Sequence, residues 1–590
     1  MTVQPASDGA ALAVRPKPRR RPDVDVDVVV VGGGVNGLGV ARDAAKRGLK
    51  VMLFERNDLA FGASGNSSGM IHGGARYLTY DPHVTETSCR DSGHIQAIAP
   101  HLLFRIPFLM PVESTRKGRM LFPLMDAFFA TYDEYQPLKR GKPHGRLTPE
   151  DLRALEPGLA GDLVGGFSFD EWGIDGARLC VANAVDAMER GARILVGTTV
   201  ERIEAITDGA PAAKVHGDVK SSPAYGYTVS YRDRITGVAD RIRTAAVVNA
   251  TGAWAPITAS LAGLPPERAR VRPGKGIHVV FDRRLTNYAI FADAIDGRQI
   301  FLEPWENMSV LGTTDDDFYG DLDQVRATSE EVRYLVQGLA RVFPAIRDAR
   351  AIGTYAGVRP TLYAWGPIED ALSREHAIVD HAAHGAPFVY SMIGGKLASY
   401  RLFAEAMTDI LARVFDLGVP CSTHTSVLPG GDAPCDPFAL ARRMGIDAVA
   451  ARRLVYRHGT RAERVEERAR ARRRESVPVC VCEPVTEAEV RYVVENELAR
   501  SVADVSRRTR LGLGACGGMR CAARCGQIVA EELGLDPRDG QKQAILFLER
   551  QALTRAAALG RDQARQEALA IASVRAELGL GVDVDSEISP

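Results

Sequence analysis

The first regular pattern along the chain is a strand. Residues 24–31 alternate apolar and acidic positions and then run into consecutive valines, as a parallel strand buried on both faces does. A glycine cluster follows, then residues 38–47 carry a helical pattern closed by Gly48, and residues 50–55 form a second short apolar run. Strand, glycine turn, helix and strand in that order open a doubly wound α/β fold. Residues 56–420 mix strand and helix patterns without an internal repeat. Residues 227–232 and 241–249 read as strands flanking a turn at 233–237, and helical patterns recur at 178–190, 329–343 and 402–415. Pro429, Gly430 and Gly431 mark a linker, residues 437–474 read as helical, Val477-Pro478 interrupts them, and residues 541–578 form an Ala-rich helical tail.

The glycine cluster, Gly32-Gly33-Gly34-Val35-Asn36-Gly37, fits G-x-G-x-x-G. Gly32 makes the tight turn, Gly34 lets the backbone approach a pyrophosphate, and Gly37 lets the helix pack against the strand. The pyrophosphate then lies at the positive end of the helix. Glu55, 18 positions beyond Gly37 at the end of the second strand, is placed to hold ribose hydroxyls. The motif alone does not separate FAD from NAD. The strand at 245–249 ends in Ala250-Thr251-Gly252, which resembles the second nucleotide-contacting strand of amino-acid-oxidase-type flavoproteins and assigns Thr251 and Gly252 to the cofactor.

Residues 61–77 read FGASGNSSGMIHGGARY, and here the chain resembles the FAD-dependent glycerol-3-phosphate dehydrogenases. Further matches follow in the family's order: Lys275-Gly276-Ile277-His278, Gly312-Thr313-Thr314-Asp315, Gly357-Val358-Arg359-Pro360, Ser373-Arg374 and Gly394-Gly395-Lys396-Leu397. The resemblance implies a Rossmann-type FAD-binding domain with an inserted β-rich substrate domain. It implies that Ser64, Ser67 and Ser68 cradle the FAD phosphates and that Gly395, Lys396 and Leu397 approach the isoalloxazine. The implied substrate, sn-glycerol 3-phosphate, is a small dianion, and guanidinium groups fork best onto phosphate oxygens. By the match these are Arg76, Arg359 and Arg374, with hydroxyl donors from Tyr77 and Thr313. Oxidising the secondary alcohol sends a hydride to flavin N5 and a proton to a base. His278 is the expected base, since imidazole titrates near working pH, with Lys396 and Arg359 as the other catalytic groups. A flavin oxidase or dehydrogenase of an amino or 2-hydroxy acid is the rival reading.

Of nine cysteines, five fall within residues 480–525. Cys480 and Cys482 form a C-x-C pair, and Cys516 and Cys521 a C-x4-C pair 33 residues further on. Four thiolates suit a [2Fe–2S] cluster or a zinc site, and zinc sites more often show C-x-x-C. The spacing resembles the bacterioferritin-associated-ferredoxin type of [2Fe–2S] domain, and its union with a flavin domain resembles the catalytic chains of anaerobic glycerol-3-phosphate dehydrogenases. Electrons then leave one at a time toward a quinone or a membrane-anchored partner subunit. Residues 486–498 read as an amphipathic helix with Thr486 and Glu489 in a capping box. Cys525 reads as a thiol on a helix face.

The expected layout is a disordered tail at 1–25, an oxidoreductase domain at 26–425, a helical linker region at 426–476, the cysteine domain at 477–532 and a helical tail at 533–590. Basic and acidic side chains balance at 74 each, which argues against nucleic acid as the main partner. No apolar run approaches the length needed to span a bilayer, and residues 1–22 lack the apolar segment of a secretion signal. The expected location is the cytosol, with peripheral contact at the inner membrane face. A homo-oligomer is left open. The Arg-rich stretch at 468–474 reads as a solvated helix face, with anionic lipid as its alternative partner.

Overall fold

The computed structural model describes residues 24–78, 81–206, 214–215, 218–219, 226–364, 366 and 375–580. The strand Val26–Val31 is buried along its whole length. It pairs in parallel with Val51–Phe54 on one side and Ala239–Asn249 on the other, and Arg193–Leu195 and Val389–Gly394 extend the parallel set outward. Antiparallel strands His376–Asp380, Tyr227–Asp233 and Thr198–Ala205 complete an eight-stranded sheet. Helices Val35–Lys46, Gly176–Glu189 and Tyr400–Val414 share one apolar core with one face of this sheet. The chain reverses direction of travel beside Val26–Val31, and such a switch point opens a crevice at the carboxyl ends of the strands.

A nine-stranded, mostly antiparallel sheet is inserted between these strands. Its centre is Val271–Phe281, flanked by Met308–Gly312 and Ala351–Leu362, and its far side is the long pair Leu103–Glu113 with Leu163–Ile174. Alternation sets one face of this sheet against helix Ser329–Leu339.

Beyond residue 436 the chain is helical around a small hairpin, Pro478–Cys480 with Val485–Thr486. The 437–474 pattern resolves into three helices, Pro437–Met444, Ala448–His458 and Ala462–Ala471, parted by Gly445 and Gly459, both at positive φ. One apolar cluster joins Leu440, Val465, Val493, Ile528 and Leu548, so the linker, cysteine and tail regions pack around a common core. The ring of Phe547 fills the space where a Cβ on Gly512 or Gly518 would stand, at 2.7 and 2.6 Å. Thr486 caps helix Glu487–Asn496 by accepting the Glu489 N–H, but the Glu489 carboxylate does not return to the cap. It takes the Arg457 guanidinium and lies 3.0 Å from His458 instead.

Buried ion pairs dock this helical region on the parallel-sheet domain. Asp58 receives Arg508 through both carboxylate oxygens and Arg507 through one. Glu497 receives Arg178 at 2.5 and 3.0 Å. Arg468 spends its guanidinium on Glu475, Glu495 and Glu532, so this arginine serves packing. Among the described residues no helix is long and apolar enough to cross a membrane.

Candidate active site

The crevice at the switch point is a cavity of about 820 Å³. Gly32, Gly34 and Glu55 line it at one end, Thr251 and Gly252 beside them, Ser64, Ser67 and Ser68 on the next loop, and Gly395, Lys396 and Leu397 at the other end. Gly37 lies behind this wall. A Cβ there would stand 2.1 Å from the Gly32 carbonyl oxygen, so only glycine lets the helix start so close to the strand. The Ser64 hydroxyl accepts the Val35 N–H at 3.0 Å, which sets it at the helix N-terminus where a pyrophosphate is favoured. Glu55 accepts the N–H groups of Gly33 and Asn57, both at 2.7 Å. Burial pushes its carboxyl up, and those two bonds oppose the shift.

The inserted sheet supplies the opposite wall, with Arg359, Thr313 and Asp315 lining the same cavity. The Arg359 guanidinium donates to Asp315 Oδ1 at 2.9 Å, to Thr313 Oγ1 at 3.0 Å and to the Thr314 carbonyl. A Cβ on Gly276 would stand 2.4 Å from its nearest nitrogen, so glycine in that motif is room for the guanidinium. Thr313 donates its own hydrogen to the Thr314 carbonyl at 3.1 Å. Its hydroxyl therefore orients Arg359 from a position on the cavity wall. Tyr77 is buried under the Lys396 ammonium, which lies 3.8 Å from its ring centroid, and Lys396 also reaches Ser88 at 3.3 Å. Arg374 and the side chain of Arg76 lie outside the described residues.

His278 is not brought to the cavity. It points behind the wall, 2% exposed, stacked on Tyr355 at 4.6 Å, and neither ring nitrogen has a hydrogen-bond partner. Burial, with the charge of Arg359, pulls its imidazolium down to about 3. The histidine that lines the cavity is His72, from the IHGG part of the motif at 61–77. It stood inside a recognised motif, but nothing local said which way its ring would face.

The four cysteines meet in two pairs. Cys482 and Cys516 have sulfurs 3.8 Å apart, and Gly514 leaves the room that Cys482 needs. Cys480 is pulled down to about 6 by a hydrogen bond from Cys521 and by the N–H groups of Gly512 and Glu483. Among the described residues no group of three or more His, Cys, Asp or Glu side chains is arranged to hold a metal ion. Cys525 is buried in helix Ala522–Leu533, and its thiol is pushed up by burial.

A glycine turn at a helix N-terminus, a buried carboxylate beside it and a second strand end facing an inserted sheet share one cavity, the arrangement of a dinucleotide-binding oxidoreductase. The chain belongs to the FAD dependent oxidoreductase family, whose profile matches residues 27–401. Residues 421–539 match a second profile, the C-terminal domain of alpha-glycerophosphate oxidase. Among curated proteins, a subunit of the anaerobic glycerol-3-phosphate dehydrogenase of Escherichia coli (strain K12) is 33% identical over 499 residues, covering 84% of this chain and 86% of that protein. The glycerol-3-phosphate dehydrogenase of Mycobacterium leprae (strain TN) is 32% identical over 536 residues, covering 88% and 87%. Among solved structures, the glycerol-3-phosphate dehydrogenase of Bacillus halodurans, complexed with FAD, superposes with a TM-score of 0.68 at 24% identity over 91% of this chain and 96% of that one. That likeness speaks for the fold.

Proposed function

We propose that this protein oxidises sn-glycerol 3-phosphate to dihydroxyacetone phosphate with FAD held in the 820 Å³ cavity, and passes the electrons on through its cysteine module. One observation carries the reading: the phosphate cradle, a preset guanidinium, an ammonium and an imidazole all line one cavity. FAD, when bound, supplies the hydride acceptor. The residues that would hold it are Gly32, Gly34, Glu55, Ser64, Ser67, Ser68, Thr251, Gly252, Gly395, Lys396 and Leu397.

The remaining work falls to this chain. Arg359 is already oriented by Thr313 and Asp315, so little rotamer freedom is lost when it receives the substrate phosphate. Arg76 and Arg374 are proposed as its companions, with Tyr77 as a hydroxyl donor. Lys396 holds positive charge at the flavin end of the cavity. His72 is proposed as the base that takes the hydroxyl proton, in place of His278, because it alone of the two lines the cavity. The rival substrates, amino and 2-hydroxy acids, lack the phosphate for which a fixed guanidinium is suited.

Cys480, Cys482, Cys516 and Cys521 are proposed as ligands of a [2Fe–2S] cluster. Cys482 and Cys516 approach to 3.8 Å on the same loops that carry Cys480 and Cys521, which supports one four-thiol site, with zinc as the alternative occupant. A quinone or a membrane-anchored partner subunit is the proposed acceptor beyond, at the inner face of the membrane. The test is anaerobic mixing of the flavin-loaded protein with glycerol 3-phosphate. Bleaching of the flavin is expected, with no bleaching by glycine or lactate, and persistence of the yellow colour overturns the reading.

A further inference from the structure

A buried ion pair at the cavity wall is left unused by the reaction as described so far. Glu171, on strand Leu163–Ile174, lines the cavity. Lys139, fully buried, sets its Nζ 2.5 Å from Glu171 Oε2 and donates as well to the Asp170 carbonyl at 2.9 Å. The Tyr132 hydroxyl, also fully buried, donates to Glu171 Oε1 at 2.7 Å. Burial and the Glu171 charge push that phenol up, so it stays a donor. A third donor reaches the carboxylate, the N–H of Gly73, at 3.3 Å from Oε2. Gly73 is the residue after His72.

Residues 71–74, which carry His72, are pinned from two elements. Ile71 donates its N–H to the Trp172 carbonyl at 2.9 Å, and its own carbonyl accepts the Ser92 hydroxyl at 2.6 Å. The Gly74 carbonyl accepts the Thr85 hydroxyl at 3.2 Å. Thr85 and Ser92 stand on helix Pro82–Ile98, Glu171 and Trp172 on strand Leu163–Ile174. A Cβ on Gly73 would stand 2.3 Å from Cys89 Sγ and 2.4 Å from the Tyr132 hydroxyl, so glycine lets this peptide lie against the pair.

Packing alone does not call for charge at this place. Apolar side chains of similar volume often serve as well as a buried ion pair, or better. What they cannot supply is a fixed acceptor for the peptide beside His72. Proton transfer depends on such fixing, because a misplacement of about 1 Å costs on the order of 10²-fold in rate.

We propose that Glu171, balanced by Lys139 and locked by Tyr132, is the positioning residue that sets His72 against the substrate hydroxyl. The inference rests on the reading of His72 as the base. Glu171 acts through the Gly73 peptide, and the proton still goes to the imidazole.

The test uses the flavin-loaded full chain in two double variants that differ only at residue 171. Glu171→Leu with Lys139→Met removes both charges and the acceptor. It is expected to keep its flavin absorbance and a KM for glycerol 3-phosphate within a few-fold of wild type, while anaerobic flavin bleaching at saturating substrate slows about 10²-fold. The solvent deuterium isotope effect on bleaching should grow, as proton transfer becomes limiting. Glu171→Gln with Lys139→Met keeps an oxygen for the Gly73 N–H and should recover most of the lost rate. Tyr132→Phe, which frees one carboxylate oxygen, should slow bleaching about tenfold, as for loss of a hydrogen bond to a charged group, and it decides the matter if the double variants do not fold. Equal rates in the two double variants, a loss confined to KM, or an unchanged rate in Tyr132→Phe overturns the positioning role. If His72→Asn itself bleaches at the wild-type rate, the base reading falls and this inference with it; a slow His72→Asn beside an unaffected leucine variant removes this inference alone.

Discussion

A single imidazole illustrates what one residue's position decides. His278 and His72 both sit in recognised motifs, and only the second lines the cavity. His278 lies on a strand, where successive side chains face opposite ways, and a one-residue difference in register sends a ring to the far side. His72→Asn is expected to slow flavin bleaching by about 10²–10⁴-fold, and His278→Asn to leave that rate within a few-fold; stopped-flow absorbance reads both. Glu303, fully buried on strand Gln299–Trp305 with both carboxylate oxygens unpartnered, offers a second prediction, on stability. Its folded-state affinity for a proton is raised, so above the ordinary Glu range the unfolded chain sheds a proton that the folded chain keeps. Stability therefore falls as pH rises. Glu303→Gln removes this slope, which for one group reaches at most about 1.4 kcal/mol per pH unit above the usual Glu value and ends at the raised folded value, read from urea melts between pH 5 and pH 8. A parallel pair of melting curves for wild type and variant would count against it.

At the scale of elements, legibility tracked how local each determinant was. The strand–glycine–helix–strand opening was readable because its glycines answer to backbone contacts within a few residues, such as Gly37 against the Gly32 carbonyl. The strand pair at 227–249 and the helices near 178, 329 and 402 emerged close to their expected bounds. The inserted sheet was not readable strand by strand, because its order joins segments up to about two hundred residues apart. Glu489 looked like a capping partner three residues from Thr486, yet a distant arginine and histidine won its carboxylate. Gly276→Ala tests the same principle within the site. Its methyl would displace the Arg359 guanidinium, so KM for glycerol 3-phosphate should rise about tenfold or more, as for loss of a charge-assisted hydrogen bond, while bound flavin absorbance stays unchanged. Cys516→Ser should abolish the cluster's paramagnetic signal and leave flavin bleaching intact; a surviving signal would remove Cys516 from the ligand set.

Over the whole molecule, the two halves are fastened through Asp58, three residues from the cavity-lining Glu55. Although burial opposes it, the Arg508 and Arg507 guanidiniums hold the Asp58 carboxyl well below its usual range. This contribution is present above the ordinary carboxylate pKa and is lost as pH falls. Asp58→Asn strands two guanidiniums in a dry interface and should lower stability by about 3–5 kcal/mol at neutral pH, with the deficit narrowing on acidification. Calorimetry at pH 7 and pH 2 measures it.

Phe547 carries a consequence for anyone shortening the chain. Its ring is the plug against which the glycine bends at 512 and 518 are moulded, and those bends frame Cys516 and Cys521. What reads in sequence as an Ala-rich helical tail is thus the mould for the thiol loop, and a protein cut after residue 532 would surrender the shape of that loop together with its last helices.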